Sequence, residues 1–326
     1  MSDQQWMAAA IALSERGRGL TAPNPPVGCV IVNDGQAVGE GWTQRGGRPH
    51  AEAVALEQAG ARARGATVYV TLEPCAHASD RGPACAPLLA QAGIARLVAA
   101  VGDPDPRTDG RGFDVLRAAG IDVVCGVCEE QAERILAGFL TRHRLGRPHV
   151  TLKLAMSIDG KIALPSGESR WITGPEARAD AHIHRAFADM ILVGRGTYEA
   201  DDPALNVRAE GLEDRSPHRA MLTRGEAPEG WVRIASPEAI AALADVNELL
   251  VEGGAGAAAA FLAADLVDRL LVYRAPIVVG EGKGAVGDIG LHMLAEAHGR
   301  WECVDSRALG IDRRDVYERR RRGSEN

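Results

Sequence analysis

Residues 67–75, with the sequence TVYVTLEPC, place a cysteine directly after a β-branched run. The run 67–72 predicts a buried strand. Alanine- and leucine-rich runs before and after it predict helices at 49–58, closed by Gly60, and at 85–91, closed by Gly93. This alternation of strand and helix predicts an α/β layer fold for the first half of the chain.

The same pattern extends outward in both directions. In the first half it predicts a helix at 7–16 and strands at 27–32, 98–101 and 122–124. The segment LGRP at 145–148 interrupts the pattern, and a new strand is predicted at 149–154. Further strands are predicted at 190–193, 219–222, 249–251 and 270–279, with helices between several of them. We therefore predict two α/β domains, residues 1–146 and 147–326.

Composition excludes several classes of protein. The chain has 326 residues, of which 46% are hydrophobic and 25% charged, as in ordinary globular proteins. With 37 basic and 44 acidic residues the formal net charge is −7, which disfavours a general affinity for nucleic acid or acidic lipid. Six cysteines are too few for a disulfide scaffold, and neither a signal peptide nor a membrane span is visible. We expect a cytoplasmic protein.

One histidine and two cysteines stand at the predicted ends of elements. His50 falls in the first turn of a helix expected to open at Pro49, Cys75 follows a strand, and Cys85 opens the next helix. Three such ligands predict a zinc site whose fourth position is left for water, the arrangement typical of catalytic zinc. Glu52, also in the first turn, is then the expected proton shuttle, as in zinc deaminases.

Each part of this pattern is weak by itself, because His-x-Glu arises by chance and free cysteines are often buried as small hydrophobic residues. Their order, however, matches the deaminase signature. His77 is a rival for the third ligand position. We assign that position to Cys85 and expect His77 to face the substrate.

Four stretches carry a wider resemblance: TAPNPPVGCV at 21–30, PHAE at 49–52, TLEPCAH at 71–77 and DPDP at 103–106. Together they resemble the bifunctional pyrimidine deaminase/reductases of riboflavin biosynthesis. The resemblance implies a cytidine-deaminase-like three-layer α/β/α domain with Asn24 as a substrate-positioning residue. One departure is Asp105, where the family commonly has asparagine.

The second half continues the resemblance in KLAMSIDGK at 153–161, SRWIT at 169–173, DDPALNVR at 201–208 and LLVEGGAG at 249–256. It implies a dihydrofolate-reductase-like α/β domain that uses NADPH. The implied NADPH contacts are Ala155, Trp171, Thr197, Asp201, Thr223, Gly254, Ala255, Gly256, Ala257, Ala258, Ala259 and Ala260. The implied substrate contacts are Ser169, Arg185, Leu205, Arg208 and Glu252. The forked donors of Arg185 and Arg208 suit a phosphate clamp.

Two other motifs suggest chemistry that their context does not support. The stretch GKGAVG at 282–287 fits G-x-G-x-x-G, but no βαβ unit follows it, so we interpret it as a surface loop. The pair Cys125 and Cys128 lacks a partner pair, so we interpret it as packing at a junction between a strand and a helix.

The resemblance implies two reactions. The first domain would deaminate a phosphoribosylated diaminopyrimidinone with zinc, and the second would reduce the ribosyl chain to ribityl with NADPH. The implied partner is this small phosphorylated pyrimidine, with neither nucleic acid nor membrane; a homo-oligomer stays open. The alternatives are a zinc deaminase of nucleosides or RNA with a non-catalytic second domain, and a non-catalytic zinc-stabilised interaction protein.

Overall fold

The structure, a computed structural model, describes residues 1–77 and 81–321. The chain divides into two compact units, Met1–Gly146 and Arg147–Asn326. The division falls where the sequence predicts the domain boundary.

Unit 1 alternates strands and helices as the sequence predicts. Its strands are β1 Gly28–Asn33, β2 Gln36–Trp42, β3 Thr67–Leu72, β4 Arg96–Val101 and β5 Asp122–Cys125. Its α-helices are α1 Asp3–Ser14, α2 Ala51–Ala59, α3 Cys85–Ala92, α4 Arg111–Ala118 and α5 Glu129–Leu145. The strands form a sheet in the order β2-β1-β3-β4-β5, in which β3, β4 and β5 are parallel and β1 and β2 antiparallel.

Helices cover both faces of this sheet. A Cβ on Gly28 of β1 would collide with the backbone of α1, and one on Gly41 of β2 with the backbone of α2. Gly28 is paired with Trp42, the neighbour of Gly41, so the two glycines face opposite sides. Helix α5 packs with α1, and α3 with α2 and α4. Unit 1 is therefore the expected three-layer α/β/α fold.

Two helix starts in unit 1 differ from the prediction. Helix α1 begins at Asp3 because Ser2 and Gln5 form a capping box that the apolar periodicity does not reveal. Helix α2 begins at Ala51, and the expectation that Pro49 opens it was wrong. The Pro49 carbonyl accepts a hydrogen bond from the Gln44 N–H, which holds it in the preceding loop, and His50 takes the extended N-cap position.

Unit 2 is also α/β. Its strands are β6 His149–Ser157, β7 Lys161–Ala163, β8 Met190–Gly194, β9 His218–Leu222, β10 Val232–Ile234, β11 Glu248–Val251, β12 Arg269–Ala275, β13 Lys283–Gly284, β14 Trp301–Leu309 and β15 Asp312–Arg319. Its α-helices are α6 Pro175–Ala186, α7 Arg195–Asp201 and α8 Ala255–Ala263. Short 3₁₀ turns connect several elements in both units.

The main sheet of unit 2 has the order β10-β9-β8-β11-β6-β12-β15-β14. Neighbouring strands from β10 to β12 are parallel, and β15 and β14 add an antiparallel edge. The carboxyl ends of the parallel strands therefore meet at one edge, which in open α/β sheets is where ligands bind.

Two predictions in unit 2 need correction. The strand predicted at 270–279 ends at Ala275. The segment 282–287 is not only a surface loop, because Lys283 and Gly284 pair with β7 as β13 and Ala285 is buried. Among the described residues, no helix combines the length and apolar composition needed to cross a membrane.

Candidate active sites

Three potential metal ligands converge in unit 1. His50 is the N-cap of α2, Cys75 lies three residues after β3, and Cys85 is the first residue of α3. The His50 Nδ1 atom lies 3.6 Å from the Cys75 Sγ and 3.4 Å from the Cys85 Sγ. Zinc bonded tetrahedrally at about 2.0–2.1 Å to nitrogen and about 2.3 Å to sulfur requires nitrogen and sulfur to be roughly 3.5 Å apart. The three side chains therefore fit a zinc ion.

The electrostatics of this cluster favour a metal. Hydrogen bonds from the Cys85 thiol, the His50 ring and the Cys85 backbone N–H, the last at 3.3 Å, hold the pKa of Cys75 well below its ordinary value. Because a thiolate and not a thiol binds zinc, Cys75 is prepared for coordination. His77 is not part of the cluster of three.

Glu52 lies next to the cluster in the first turn of α2, where it is only 3% exposed. Burial raises its pKa, and the charge of Cys75 raises it further, while His50 lowers it. A carboxyl group with a raised pKa beside an open metal position can both accept and return a proton near neutral pH.

A cavity of about 290 Å³ opens over this cluster. His50, Glu52 and Cys75 lie in its wall, and Arg48, Arg81 and Arg107 also line it. Carboxylates also line the cavity, and that of Asp105 accepts hydrogen bonds from Arg107. The volume is close to that of small-molecule pockets, and the mixed charges of the wall suit a small polar ligand.

Asn24 and His77 line the same cavity, as expected of substrate contacts. The Asn24 Nδ2 atom donates to the Gly47 carbonyl at 2.9 Å and lies 3.3 Å from the His50 Nε2. The His77 Nδ1 lies 3.4 Å from the Thr108 Oγ1. Asn24 thus also restrains the second ring nitrogen of a metal ligand, a contact that the sequence does not reveal.

Glu73 has a structural role that sequence reasoning missed. Its buried carboxylate accepts hydrogen bonds from four backbone N–H groups, at 2.9–3.3 Å, in the loops that follow β4 and lead into α4. These donors belong to Asp103, Gly110, Gly112 and Phe113. The only signal in the sequence is an acidic residue directly after a buried strand.

Glu73→Gln should destabilise unit 1 by about 2–3 kcal/mol, because the amide NH₂ would face two backbone donors and leave them unsatisfied. Urea unfolding of the variant beside Glu57→Gln, an exposed glutamate on α2, measures the difference. Equal unfolding free energies in the two variants would contradict this role.

In unit 2, the starts of two helices meet at the carboxyl edge of the parallel strands. The Thr197 Oγ1 of α7 accepts a hydrogen bond from the Gly254 N–H at 2.8 Å, just before α8. A Cβ on Gly254 would lie 3.0 Å from that Oγ1, a tight contact that glycine avoids. Free N–H groups at a helix start suit a pyrophosphate, and these residues fit a dinucleotide.

The other implied cofactor contacts vary in exposure. Trp171 is 65% exposed, with the Arg178 guanidinium 4.5 Å from its ring centre. The Asp201 carbonyl accepts a hydrogen bond from Arg170, and the Thr223 Oγ1 one from Arg195. Ala155 is partly buried at the carboxyl end of β6, and Gly254, Ala255, Gly256 and Ala260 are partly or fully accessible at α8.

Ala257, Ala258 and Ala259 are buried in α8, and Ala258 packs fully within the apolar core. The stretch from Gly254 to Ala260 is therefore a turn only at its start. Its first residues are the ones placed to meet a ligand.

A buried charge cluster lies at the same edge. The Glu252 carboxylate accepts hydrogen bonds from the Arg185 Nε at 2.6 Å and Nη2 at 2.9 Å, and the Lys153 Nζ lies 3.5 Å from it. Two of the Arg185 donors therefore hold Glu252, and the contact of Arg185 with the substrate stays a prediction. Lys153 was missed as a site residue, although a lysine inside the apolar run of β6 is an unusual feature that could have indicated it.

Of the remaining implied substrate contacts, Ser169 precedes α6, and Leu205 and Arg208 follow α7. Arg208 is exposed, and Ser169 is partly buried in the segment before α6. The Leu205 side chain is 4% exposed and packs with apolar residues of β8 and β11, so it does not point into solvent.

Glu252→Gln should lower the free energy of unfolding at pH 7 by about 3 kcal/mol. Burial alone would raise the pKa of Glu252, but Lys153 and Arg185 lower it from 4.5 to about 2. Its stabilisation is therefore complete above pH 4.5 and is lost as the pH falls towards 2, where the variant and the parent protein should converge. Urea unfolding between pH 7 and pH 3, with exposed Glu281→Gln as control, measures this; a difference independent of pH would contradict it.

Comparison with known protein families finds a matching family model for each unit. The family model described as the cytidine and deoxycytidylate deaminase zinc-binding region matches residues 1–101. The family model described as the RibD C-terminal domain matches residues 148–313.

Relatives match along nearly the whole chain. The riboflavin biosynthesis protein RibD of Escherichia coli is 42% identical over 361 residues, covering 96% of this chain and 98% of the relative. The protein of the same name from Mycobacterium tuberculosis is 42% identical over 327 residues, covering 95% and 96%.

Solved structures also match nearly the whole chain. Acinetobacter baumannii RibD has a TM-score of 0.89 at 38% identity, covering 98% of this chain and 99% of that structure. A diaminohydroxyphosphoribosylaminopyrimidine deaminase/5-amino-6-(5-phosphoribosylamino)uracil reductase from Thermotoga maritima has a TM-score of 0.86 at 30% identity, with the same coverage.

Proposed function

Because the chain belongs to the RibD family of riboflavin biosynthesis proteins, we propose that its two units catalyse successive steps on one phosphorylated pyrimidine. The chain is a zinc-dependent deaminase and an NADPH-dependent reductase. Unit 1 removes the ring amino group of 2,5-diamino-6-(5-phosphoribosylamino)pyrimidin-4(3H)-one as ammonia. Unit 2 reduces the ribosyl chain of the product to ribityl and gives 5-amino-6-(5-phosphoribitylamino)uracil.

In unit 1, His50, Cys75 and Cys85 hold the metal. Zinc supplies Lewis-acid chemistry that makes water nucleophilic near neutral pH. Glu52 would take up the first proton of the attacking water and deliver it to the ring nitrogen, and would then take up the second proton of that water and deliver it to the amine, which leaves as ammonia. Asn24 and His77, which line the cavity, orient the pyrimidine.

In unit 2, the start of α8 with Thr197 and Gly254 binds the cofactor. NADPH supplies the hydride for C1′ of the ribose in its open-chain form. Lys153 and Glu252 form a fixed pair of charges at the carboxyl edge of the sheet, and Arg208 binds the substrate phosphate. No side chain has to act as a nucleophile in this step.

The observation that carries the deaminase assignment is a His-Cys-Cys cluster with a buried glutamate beside it, and His50, Cys75 and Glu52 also line one cavity. A structural zinc site has no need of such a carboxylate. The alternative of a nucleoside or RNA deaminase with a non-catalytic second unit is not favoured, because unit 2 matches a reductase along almost its whole length.

Two separate assays test the proposal. Ammonia release from the diaminopyrimidinone should proceed without NADPH, and NADPH oxidation should follow addition of the deaminated compound. Ammonia release without any NADPH oxidation would contradict the role of unit 2, and the reverse result would contradict the role of unit 1.

Two further expectations belong to this proposal. We expect neither nucleic acid nor a membrane as partner, and a cytoplasmic location in keeping with six free cysteines.

A further inference from the structure

Lys283 is a positively charged residue that the functions proposed above do not use. It lies in the segment 282–287, whose G-x-G-x-x-G pattern has no βαβ unit after it. Its backbone pairs with Ala163 of β7, and its side chain is exposed. What this side chain can bind therefore depends on what the segment packs against.

Glycines bring this segment close to two neighbouring elements. A Cβ on Gly282 would lie 2.4 Å from the carbonyl oxygen of Ala163, so only glycine allows this approach to β7. At the other end of the segment, the Gly287 N–H donates a hydrogen bond to the Ala255 carbonyl of α8 at 3.1 Å. The segment is therefore fixed on both sides of Lys283.

The Lys283 side chain extends to the start of α8. A Cβ built on Gly254, the N-cap of α8, would lie 3.9 Å from the Lys283 Nζ and 3.0 Å from the Thr197 Oγ1. The ammonium group and the hydroxyl group thus both lie beside Gly254, although they come from different elements. Lys283 is therefore brought to the helix start that was assigned above to the dinucleotide.

The charges around this helix start suit an anion. Helix α8 has no acidic residue in its first turn and no side-chain cap, and the N–H groups of a first turn have no intrahelical acceptor. Among the described residues, no carboxylate forms an ion pair with Lys283. A helix start contributes about half a positive charge, and the ammonium group adds a full one.

We propose that Lys283 binds the pyrophosphate of NADPH at the start of α8. Each phosphate of the pyrophosphate carries a negative charge, and a lysine ammonium group binds phosphate oxygens as a point charge with rotatable donors. The N–H groups of the helix start and the ammonium group hold the same pyrophosphate from different elements.

This inference rests on the proposed role of the α8 start in binding NADPH, and it adds a residue from a separate element, β13. It also gives a role to the motif at 282–287. The glycines of the motif place Lys283, and they do not form the phosphate loop of a βαβ unit.

Three variants test the role of the ammonium group. Lys283→Gln keeps much of the length of the side chain but removes its charge, and Lys283→Arg keeps the charge. Arg320→Gln removes an exposed positive charge elsewhere in unit 2, directly after β15, and is the control.

The measurement is equilibrium binding of NADPH, followed by the fluorescence of its reduced nicotinamide without any pyrimidine present. We expect Lys283→Gln to raise the Kd of NADPH about tenfold, as for a lost hydrogen bond to a charged group. Lys283→Arg should recover most of that loss, and Arg320→Gln should bind NADPH as the parent protein does. The thermal unfolding midpoint of Lys283→Gln should stay close to that of the parent protein, because the side chain is exposed.

Two competitors locate the contact on the cofactor. Adenosine 5′-diphosphate carries a pyrophosphate, whereas adenosine 2′-monophosphate carries only the 2′-phosphate of NADPH. Lys283→Gln should raise the Kd of the diphosphate about as much as that of NADPH, and it should leave the Kd of the 2′-monophosphate unchanged.

An unchanged Kd of NADPH in Lys283→Gln, while the parent protein binds NADPH, would overturn only the role of Lys283. An equal loss of affinity for the 2′-monophosphate would overturn it as well, since the ammonium group would then contact the other phosphate. An equal loss in Arg320→Gln would mean a general effect of net charge and would also overturn it. If the parent protein itself does not bind NADPH, the proposed function of unit 2 fails, and the role of Lys283 fails with it.

Discussion

Glu52→Gln should reduce the rate of deamination by about 10³-fold, within the range of about 10²–10⁴ typical of a lost general acid–base group. The glutamine fills the same buried space in the first turn of α2 but cannot take up or return a proton. Ammonia release under single-turnover conditions is the direct measurement.

The controls for Glu52→Gln separate chemistry from folding and metal binding. Zinc content should match that of the parent protein, since His50, Cys75 and Cys85 are untouched, and NADPH oxidation by unit 2 should be unchanged. Glu57→Gln, on the exposed side of the same helix, should deaminate normally. Deamination within about tenfold of the parent rate would mean that another group moves the proton.

Cys85→Ser should remove most of the zinc and with it the deaminase activity, while NADPH oxidation persists. A serine hydroxyl is a poor zinc ligand, and the two remaining side chains, His50 and Cys75, offer too few donors for a stable site. Metal analysis of the purified variant, with exposed Cys303→Ser as control, measures this effect.

His77→Asn decides between the two candidates for the third ligand. The His77 ring contacts the Thr108 hydroxyl and is not part of the cluster of three metal ligands. The variant should therefore keep its zinc and lose affinity for the pyrimidine. Full zinc content in Cys85→Ser together with zinc loss in His77→Asn would contradict the assigned ligand set.

Much of the secondary structure of unit 1 was predictable because it follows from short-range patterns in the sequence. The β-branched strands, the glycines that close α2 and α3, and the positions of Cys75 and Cys85 at element ends all follow from short-range patterns. The strand β2 did not follow from such a pattern. Its glycines are there because the backbone of α2 approaches closely, which is a tertiary requirement.

The site in unit 2 was less predictable, because its contacts join distant parts of the chain. Arg185 and Glu252 are 67 residues apart, and the pairing that engages the arginine fork is invisible in either segment alone. Lys153 lies between two leucines of β6, and only the folded chain shows that its ammonium group faces Glu252.

The central claim is that one chain performs a deamination and then a reduction at two separate sites. Mass spectrometry of the products tests it most directly, with the zinc-loaded protein, the diaminopyrimidinone ribosyl phosphate, and NADPH either absent or present. The account predicts that only the deaminated compound accumulates without NADPH and that it is converted to the ribityl product when NADPH is added. Absence of the deaminated compound in the first case, or its persistence in the second, would contradict the account.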